Sequence, residues 1–187
     1  MVTTGFNRDL FQTKSEIVDL TVKGDNMCNN WPNFPISLYG ATGGLIGDTV
    51  IICGGRGGWG FDGTYFDECY SLTSEKATLV THMSFRRASA ASIVFNDNAL
   101  WVTGGFYHSI GVLDSTEYVT MTKTMPGPNL PMALEAHAMV PINSTCSMVI
   151  GGVHGEEANY CLFQLSNLKN GKYFFTLFRK TKSVICF

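Results

Sequence analysis

The stretch that decides the fold is ATGGLIGDTVIICGG, residues 41–55, because it recurs twice further along the chain. The second copy is ASIVFNDNALWVTGG at 91–105, and the third is AMVPINSTCSMVIGG at 138–152. The opening residues 1–6, MVTTGF, resemble the end of the second copy, WVTGGF at 101–106. The last glycines of the four copies are separated by 50, 50 and 47 residues; they are Gly5, Gly55, Gly105 and Gly152. A period of this length predicts several copies of one supersecondary unit.

Each copy predicts two neighbouring strands joined by a tight turn. The polar turns fall at 46–49, 95–98 and 142–145. Their Asn, Asp and Gly residues tolerate the positive φ that hairpin turns need. The flanking apolar runs are nearly continuous, which is typical of strands buried on both faces.

A third and a fourth strand are predicted after each double glycine. A polar or aromatic loop comes first, and an acidic residue then precedes an apolar run, as at Glu16, Glu68 and Glu117. The corresponding run of the last copy lies at 158–163. Short fourth strands are predicted at 77–80 and 173–177. Four antiparallel strands per unit is the organisation of a β-propeller blade.

The double glycine, the acidic residue with a nearby tyrosine and the period near fifty together resemble the kelch repeat. The resemblance implies an all-β fold, a β-propeller of kelch-type four-stranded antiparallel blades with about 3.75 blades present. It covers residues 1–177, and 178–187 form a tail of uncertain structure. The predicted blades are 1–38 (partial), 39–82, 88–125 and 135–177. Kelch propellers form closed rings of blades, which leave no strand edge open. The resemblance therefore implies that the chain is a fragment of a longer kelch protein. The alternative is that the segment 183–187 supplies the missing strand of the first blade and closes the ring.

Two details of the kelch pattern bear on register. Kelch units carry an arginine and then a histidine-alanine pair before the first strand, which Arg87 and His137 each match in part. Gly40, Ala90 and His137 each lie fifteen positions before the second glycine of their copy. This equal spacing predicts that the three residues occupy equivalent positions in the repeats. The tryptophan that usually follows the tyrosine is missing, and Ala77, Thr124 and Tyr173 lie nearby instead.

A structural role is predicted for the double glycines. Glycine at a strand end permits positive φ and close backbone approach. The alternative, a phosphate-binding loop at 54–58, lacks the spacing of known phosphate motifs and a following helix. The residues assigned this structural role are Gly54, Gly55, Gly104, Gly105, Gly151 and Gly152.

Candidate binding residues lie on the loops, which are predicted to open on one face of the propeller. Arg, Trp and Tyr are frequent interface anchors, and the loop 56–66 is rich in them. Local loop packing is the alternative for Trp59 and Phe61, and a structural hydrogen bond is the alternative for Arg87. The candidates are Arg56, Trp59, Phe61, Tyr65, Arg86, Arg87, Phe106, Tyr107, His108 and His154.

The cysteines and one sequon slightly favour an extracellular location over a cytoplasmic one. Cys53 and Cys69 end and begin predicted antiparallel neighbours, which predicts a disulfide. Cys146 and Cys161 bracket the analogous hairpin with a less favourable offset. Asn143 begins an Asn-Ser-Thr sequon and is a possible glycosylation site. The alternative is that the cysteines are free and buried.

Composition and motifs restrict the function classes. The net charge is −2 and no basic patch is present, so nucleic acid is not an expected partner. No apolar run is long enough for a membrane span. The four histidines are spread over three of the predicted blades without ligand spacing, so neither a metal nor a cofactor is expected.

The predicted function is a non-catalytic protein-interaction scaffold, with a protein partner that the sequence does not identify. One alternative is the substrate-recognition part of a ubiquitin-ligase adaptor, and another is an extracellular structural or carbohydrate-associated propeller. A copper radical oxidase, whose propeller is similar, ranks last. It needs two tyrosines, two histidines and a cysteine at one copper, and the adjacent Cys69 and Tyr70 do not have that arrangement.

Overall fold

The computed structural model describes the backbone of residues 2–7, 10–18, 28–58, 63–143, 146–155, 157–158, 161–167 and 173–179. This part of the chain is all-β, with antiparallel sheets of two to four strands and no helix. It accordingly offers no helix that could cross a bilayer.

Sheets 1 and 2 come first along the chain. Sheet 1 has the order β1-β2-β3 and consists of β1 (Val2–Asn7), β2 (Leu10–Val18) and β3 (Cys28–Trp31). Sheet 2 has the order β4-β5-β8-β9, and a two-stranded hairpin, hairpin 2, lies between its second and third strands. The elements are β4 (Thr42–Ile46), β5 (Thr49–Cys53), β6 (Arg56–Gly57), β7 (Thr64–Tyr65), β8 (Glu68–Leu72) and β9 (Ala77–His82).

Sheets 3 and 4 repeat this plan with hairpins 3 and 4. Sheet 3 and its hairpin consist of β10 (Ala91–Phe95), β11 (Ala99–Thr103), β12 (Phe106–Tyr107), β13 (Gly111–Val112), β14 (Thr116–Val119) and β15 (Thr124–Pro126). Sheet 4 and its hairpin consist of β16 (Ala138–Asn143), β17 (Cys146–Ile150), β18 (Val153–His154), β19 (Glu157–Ala158), β20 (Cys161–Asn167) and β21 (Tyr173–Arg179). The last strand continues two residues beyond the predicted limit at 177.

The antiparallel strand order brings the loops that carry the candidate binding residues to one end of the sheets. The second strand of each sheet runs toward its hairpin, and the fourth strand runs the same way. The hairpins and the segments that connect successive sheets therefore share an end, which we call the hairpin end. The tight turns lie at the opposite end, the turn end. At the hairpin end, Gly55 N–H donates to the Arg87 carbonyl at 2.8 Å, and Gly105 N–H donates to the Leu134 carbonyl at 2.7 Å.

Apolar cores lie between successive sheets. Sheets 2 and 3 enclose Ile51, Leu100 and Val102, while sheets 3 and 4 enclose Trp101 and Val149. A further core joins sheet 2 to the segment that follows β3. Strand β11 is buried along its whole length because it packs on both faces, which explains its unbroken apolar sequence.

All six residues of the double glycines have φ between 57° and 104°. A Cβ on Gly54 would lie 2.5 Å from the Arg87 carbonyl oxygen, and a Cβ on Gly105 would lie 2.8 Å from that of Ala88. Glycine is required there for two reasons: the backbone is left-handed, and another backbone segment approaches closely, the one leading to the next sheet at Gly54 and the one leading into the same sheet at Gly105.

An antiparallel bridge ties each hairpin to the residue that leads into the first strand of its sheet. The bridged pairs are Tyr39–Arg56, Ala88–Phe106 and Glu135–Val153. These bridges make Tyr39, Ala88 and Glu135 equivalent positions in the three repeats.

The register of the repeats differs from the predicted one. Gly40, Ser89 and Ala136 follow the three bridges and have φ of 66°, 55° and 51°. Gly40 therefore corresponds to Ser89 and Ala136, and the predicted match with Ala90 and His137 is wrong by one residue. The physical reason is turn length, because a two-residue turn joins β4 to β5 whereas a three-residue turn joins β10 to β11.

Sheet 4 departs from the prediction in its third strand. β20 begins at Cys161 and not at 158. In the β17–β20 ladder, Cys146 pairs with Ser166 and Ile150 with Leu162. Cys146 and Cys161 thus lie at opposite ends of this ladder, which excludes a cross-strand pairing of the two. The segment 183–187 lies outside the described residues.

Candidate functional site at the hairpin end

Hairpin 2 positions the first two candidate residues. Arg56 and Tyr65 face each other across the hairpin as a register pair. A Cβ on Gly63 would lie 2.5 Å from Nε of Arg56, so the absence of a side chain at Gly63 makes room for the arginine. The Arg56 guanidinium lies over the Tyr65 ring, 5.1 Å from its centroid. This is the geometry of a cation–π contact.

Tyr65 joins hairpin 2 to hairpin 3. Its ring centroid lies 5.9 Å from that of Phe106 and 5.6 Å from that of Tyr107, in tilted and edge-on geometry. Four predicted binding residues, Arg56, Tyr65, Phe106 and Tyr107, are thus brought together; we call them the Tyr65 cluster. Tyr65 itself is buried, while the other three are half-buried and accessible. Such aromatic pairs add to the energy of burial and hold the two hairpins in a defined arrangement.

Tyr39 and Glu135 complete the electrostatic surroundings of Tyr65. Burial raises the pKa of Tyr65 above its ordinary value; Tyr39 and Glu135 raise it further, whereas Arg56 opposes them. The phenol therefore stays neutral at physiological pH. Burial also raises the pKa of Glu135. No cation or hydrogen-bond donor among the described residues contacts the Glu135 carboxylate. The sequence did not single out Tyr39 or Glu135. The bridge between Tyr39 and Arg56 places Tyr39 near Tyr65, whereas Glu135 comes near Tyr65 only because the sheets stack.

Arg87 is not an exposed binding residue, and its assignment to the loop face was wrong. Its side chain is 0% exposed. The guanidinium donates to the carbonyls of Gly104 (2.7 Å) and Ser115 (2.9 Å), to the Ser115 hydroxyl (3.1 Å) and to the Glu117 carboxylate (2.6 Å). Burial lowers the pKa of Arg87, and Glu117 opposes this shift. The structural alternative is the correct one, since a buried guanidinium needs this many acceptors.

Glu117 also orders the segment that connects sheets 2 and 3. Its carboxylate accepts from the backbone N–H of Ser84 at 2.6 Å and of Phe85 at 3.3 Å. The side chains of Phe85 and Arg86 stay exposed at the hairpin end, Phe85 at 41%. A fixed backbone therefore presents an aromatic ring and a cation to solvent.

The remaining candidates are scattered. His108 is exposed in the turn of hairpin 3, and exposed His154 in hairpin 4 donates from Nδ1 to the Ala133 carbonyl at 2.8 Å. Trp59 and Phe61 lie outside the described residues. Asn143 ends β16, and its side chain also lies outside them.

The disulfide is confirmed. Cys53 and Cys69 are a register pair of β5 and β8 with Cα atoms 4.1 Å apart, and their sulfurs are bonded. The residues are 1% and 0% exposed. The bond lies directly before the double glycine that leads into hairpin 2, so it covalently joins β5 and β8, the two strands that flank the hairpin carrying Arg56 and Tyr65.

His137 lies between sheets 3 and 4. Its Nε2 is 2.8 Å from the Thr103 hydroxyl, and its Nδ1 has no hydrogen-bond partner among the described residues. Burial lowers the pKa of His137 to about 4. The imidazole is therefore neutral at physiological pH and belongs to the packing between sheets.

One side-chain group of the described residues has donors suited to a metal ion. Ligand atoms of Asp67, Glu68 and His82 lie within 4.8 Å of one another. The group also has internal contacts, since His82 Nδ1 is 3.3 Å from an Asp67 carboxylate oxygen and Glu68 accepts from the Asp67 N–H at 3.1 Å. The sequence analysis did not identify this group, because His82 is fourteen residues from Glu68 and fifteen from Asp67. The pairing of β8 with β9 brings the three side chains together.

The described residues thus form an all-β protein in which a four-stranded antiparallel sheet is repeated, and hairpins 2 and 3 carry aromatic side chains at one end. No protein-family model and no curated protein matches the chain. Among solved structures, that of YjhT is similar over 97% of this chain, with a TM-score of 0.79 and 14% identity. The chain spans 65% of the YjhT chain. At this identity, the likeness shows the fold alone.

Proposed function

We propose that the chain is part of a kelch-type β-propeller and acts as a non-catalytic scaffold that binds a protein partner through its hairpin end. The propeller architecture is supported by the repeated sheet order and by contacts that place β4 against β10 and β10 against β16. The likeness to YjhT supports it independently.

The observation that carries the binding proposal is the Tyr65 cluster beside exposed anchors at the same end. Tyr107 and Arg56 lie on a hairpin pair fixed by Tyr65, and Phe85 and Arg86 lie on a segment fixed by Glu117. Ile110, in the turn of hairpin 3, is 57% exposed. Aromatic and arginine side chains on a rigid frame bind with little loss of conformational entropy, which is what interface hot spots require.

The experiment is selection of binders from a displayed library of random peptides, followed by affinity measurement on variants. The double variant F85A/R86A should weaken a selected hairpin-end binder by about tenfold or more. The matched control is M121A/K123A, which removes an apolar side chain of similar exposure and a cation at the turn end. If F85A/R86A and Y107A bind every selected peptide as wild type does, the proposed surface is wrong.

An extracellular location is the second part of the proposal, and the Cys53–Cys69 bond favours it. Disulfides persist in oxidising compartments and are rare in the cytosol. The test is intact mass of protein isolated from its native source under alkylation. If both thiols are alkylated without reductant, the extracellular structural or carbohydrate-associated propeller loses its support and a cytosolic scaffold remains.

A further inference from the structure

Two carboxylates and an imidazole lie together on the third and fourth strands of sheet 2. Glu68 and His82 are a register pair of β8 and β9, and Asp67 directly precedes β8. We call these three residues the Asp67 group. Their ligand atoms, two carboxylate oxygens and one ring nitrogen, all lie within 4.8 Å of one another. The imidazole distinguishes the group from an acidic surface patch, because imidazole is a ligand that transition metals favour.

The backbone that carries the Asp67 group is held in place on every side. The Met83 N–H donates to the Asp67 carbonyl at 2.7 Å. Strand pairing holds Glu68 opposite His82, and Cys69, the next residue after Glu68, is covalently bonded to β5. The three side chains therefore start from fixed positions on strands, which is what a precise ligand site requires.

Neither carboxylate of the group forms an ion pair with a Lys or Arg side chain of the described residues. Asp67 and Glu68 are nevertheless half-buried. The cationic partner within reach is His82, which is charged only when protonated. A divalent cation would neutralise both carboxylates at once, and partly desolvated charges need such compensation.

The distance between His82 and Asp67 fits two ligands of one ion. Nδ1 of His82 lies 3.3 Å from Oδ1 of Asp67, which is longer than the about 2.7–2.9 Å of a charge-assisted hydrogen bond. Two ligands bonded at about 2.0–2.1 Å to a tetrahedral zinc ion are themselves separated by about 3.3 Å. Glu68 already turns back toward Asp67, since its carboxylate accepts from the Asp67 N–H at 3.1 Å. The His82 side chain is 56% exposed, so it has room to rotate until all three ligand atoms meet one ion.

We propose that the Asp67 group binds a transition-metal dication of the zinc class, with one oxygen each from Asp67 and Glu68 and a ring nitrogen of His82 as ligands. Zinc accepts such nitrogen and carboxylate ligands, and solvent fills its fourth position on the exposed side of the group. Ca²⁺ and Mg²⁺ prefer sites made of oxygen ligands alone. The ion joins β8 to β9 at the point where the segment that presents Phe85 and Arg86 begins.

Isothermal titration calorimetry of the full chain with zinc chloride tests this inference. Wild-type protein should bind one Zn²⁺ at this group. D67N/E68Q, which keeps the side-chain shapes and removes both charges, should bind it at least about tenfold more weakly, since even changes to outer-shell partners cost that much. H82A should lose affinity to a similar degree. The matched control is H108A, which removes an exposed histidine outside the group and should bind as wild type does.

Thermal unfolding provides a second readout and shows that the variants fold. Zn²⁺ should raise the unfolding midpoint of wild type and H108A, because it binds the folded state, and should leave that of D67N/E68Q unchanged. Calcium chloride at the same concentration should shift none of them. Absence of Zn²⁺ binding by wild type, equal binding by D67N/E68Q, or an equal shift with Ca²⁺ overturns the proposal. D67N/E68Q changes no side chain assigned to the partner surface, so these results leave the proposed binding function standing.

Discussion

Arg87 and Glu117 form a buried ion pair at 2.6 Å between the segment that connects sheets 2 and 3 and the third strand of sheet 3. In sheet 2, the two equivalent positions hold uncharged residues. Leu38 takes the place of Arg87, and Tyr70 takes the place of Glu117. Leu134 takes the place of Arg87 in sheet 4 and is 0% exposed. The same junction between sheets is therefore occupied by a buried ion pair in one repeat and by buried apolar side chains in the others.

Removing one partner of this pair should destabilise the protein strongly. R87L leaves the Glu117 carboxylate buried without its cation, and we expect a loss of about 3–5 kcal/mol in the free energy of unfolding. R87L/E117Y, which copies Leu38 and Tyr70 of sheet 2, should recover part of that loss. Urea unfolding of both variants and of E117Y measures the coupling. Additive losses in the three variants would show that the pair does not act as a unit.

Gly104 and Gly47 provide a matched pair, since both have φ of +57°. A Cβ on Gly47 meets nothing within 4 Å, whereas on Gly104 it would collide with the Leu134 carbonyl and lie 2.9 Å from Cε1 of His137. G47A should cost about 1 kcal/mol from backbone strain alone. G104A should cost at least about 2 kcal/mol more, because the next sheet must move. Equal midpoints in thermal unfolding would contradict the close approach at Gly104.

His137 should make stability fall in mild acid. Its folded pKa of about 4 lies below the ordinary value of 6.5, so the unfolded state binds the proton first as pH decreases. The stabilisation is complete above pH 6.5 and is lost progressively toward pH 4, by an amount of about 3 kcal/mol.

The comparison is urea unfolding of wild type and H137Q across this range. Glu135 contributes the opposite slope, because burial raises its pKa and its protonation favours the folded state. Taking the difference between the two proteins cancels that contribution. A difference that does not vary between pH 7 and pH 4 would show that folding does not lower the pKa of His137.

The Cys53–Cys69 bond should contribute about 3 kcal/mol, the loop-closure value for cysteines 16 residues apart. C53A/C69A should unfold at a lower urea concentration than oxidised wild type. Reductant should shift wild type toward the variant and leave the variant unchanged, which provides the internal control. If fully reduced wild type unfolds at the oxidised midpoint, the bond does not stabilise the fold.

Local features of the structure could be predicted from the sequence. The double glycines, the strands beside them and the Cys53–Cys69 pair depend on backbone conformation and on the nearest antiparallel neighbour. Because these interactions act over short stretches of chain, the repeat pattern is enough to predict them.

The exact alignment of the repeats with one another could not be predicted. Alignment of acidic residues matched Glu68 with Glu117, but Glu117 pairs with Val102 and Tyr70 pairs with Ile52, so Glu117 corresponds to Tyr70. A difference of one residue in turn length likewise moved Gly40 out of the predicted register. The register of paired strands is set by turns and bulges. The average length of the repeat does not show how these differ from one copy to the next.

The sequence by itself determined an all-β chain of repeated hairpins with left-handed glycines, because these follow from periodicity and from the conformational limits of single residues. Only the tertiary structure decided which polar side chains are buried and which are presented. Arg87 lies inside and Arg86 outside, although they are neighbours, since the carbonyls and the Glu117 carboxylate that accept from Arg87 belong to the following sheet. Tyr65 contacts Tyr107 and feels the charge of Glu135 for the same reason: stacking of sheets brings together residues that are far apart in the chain.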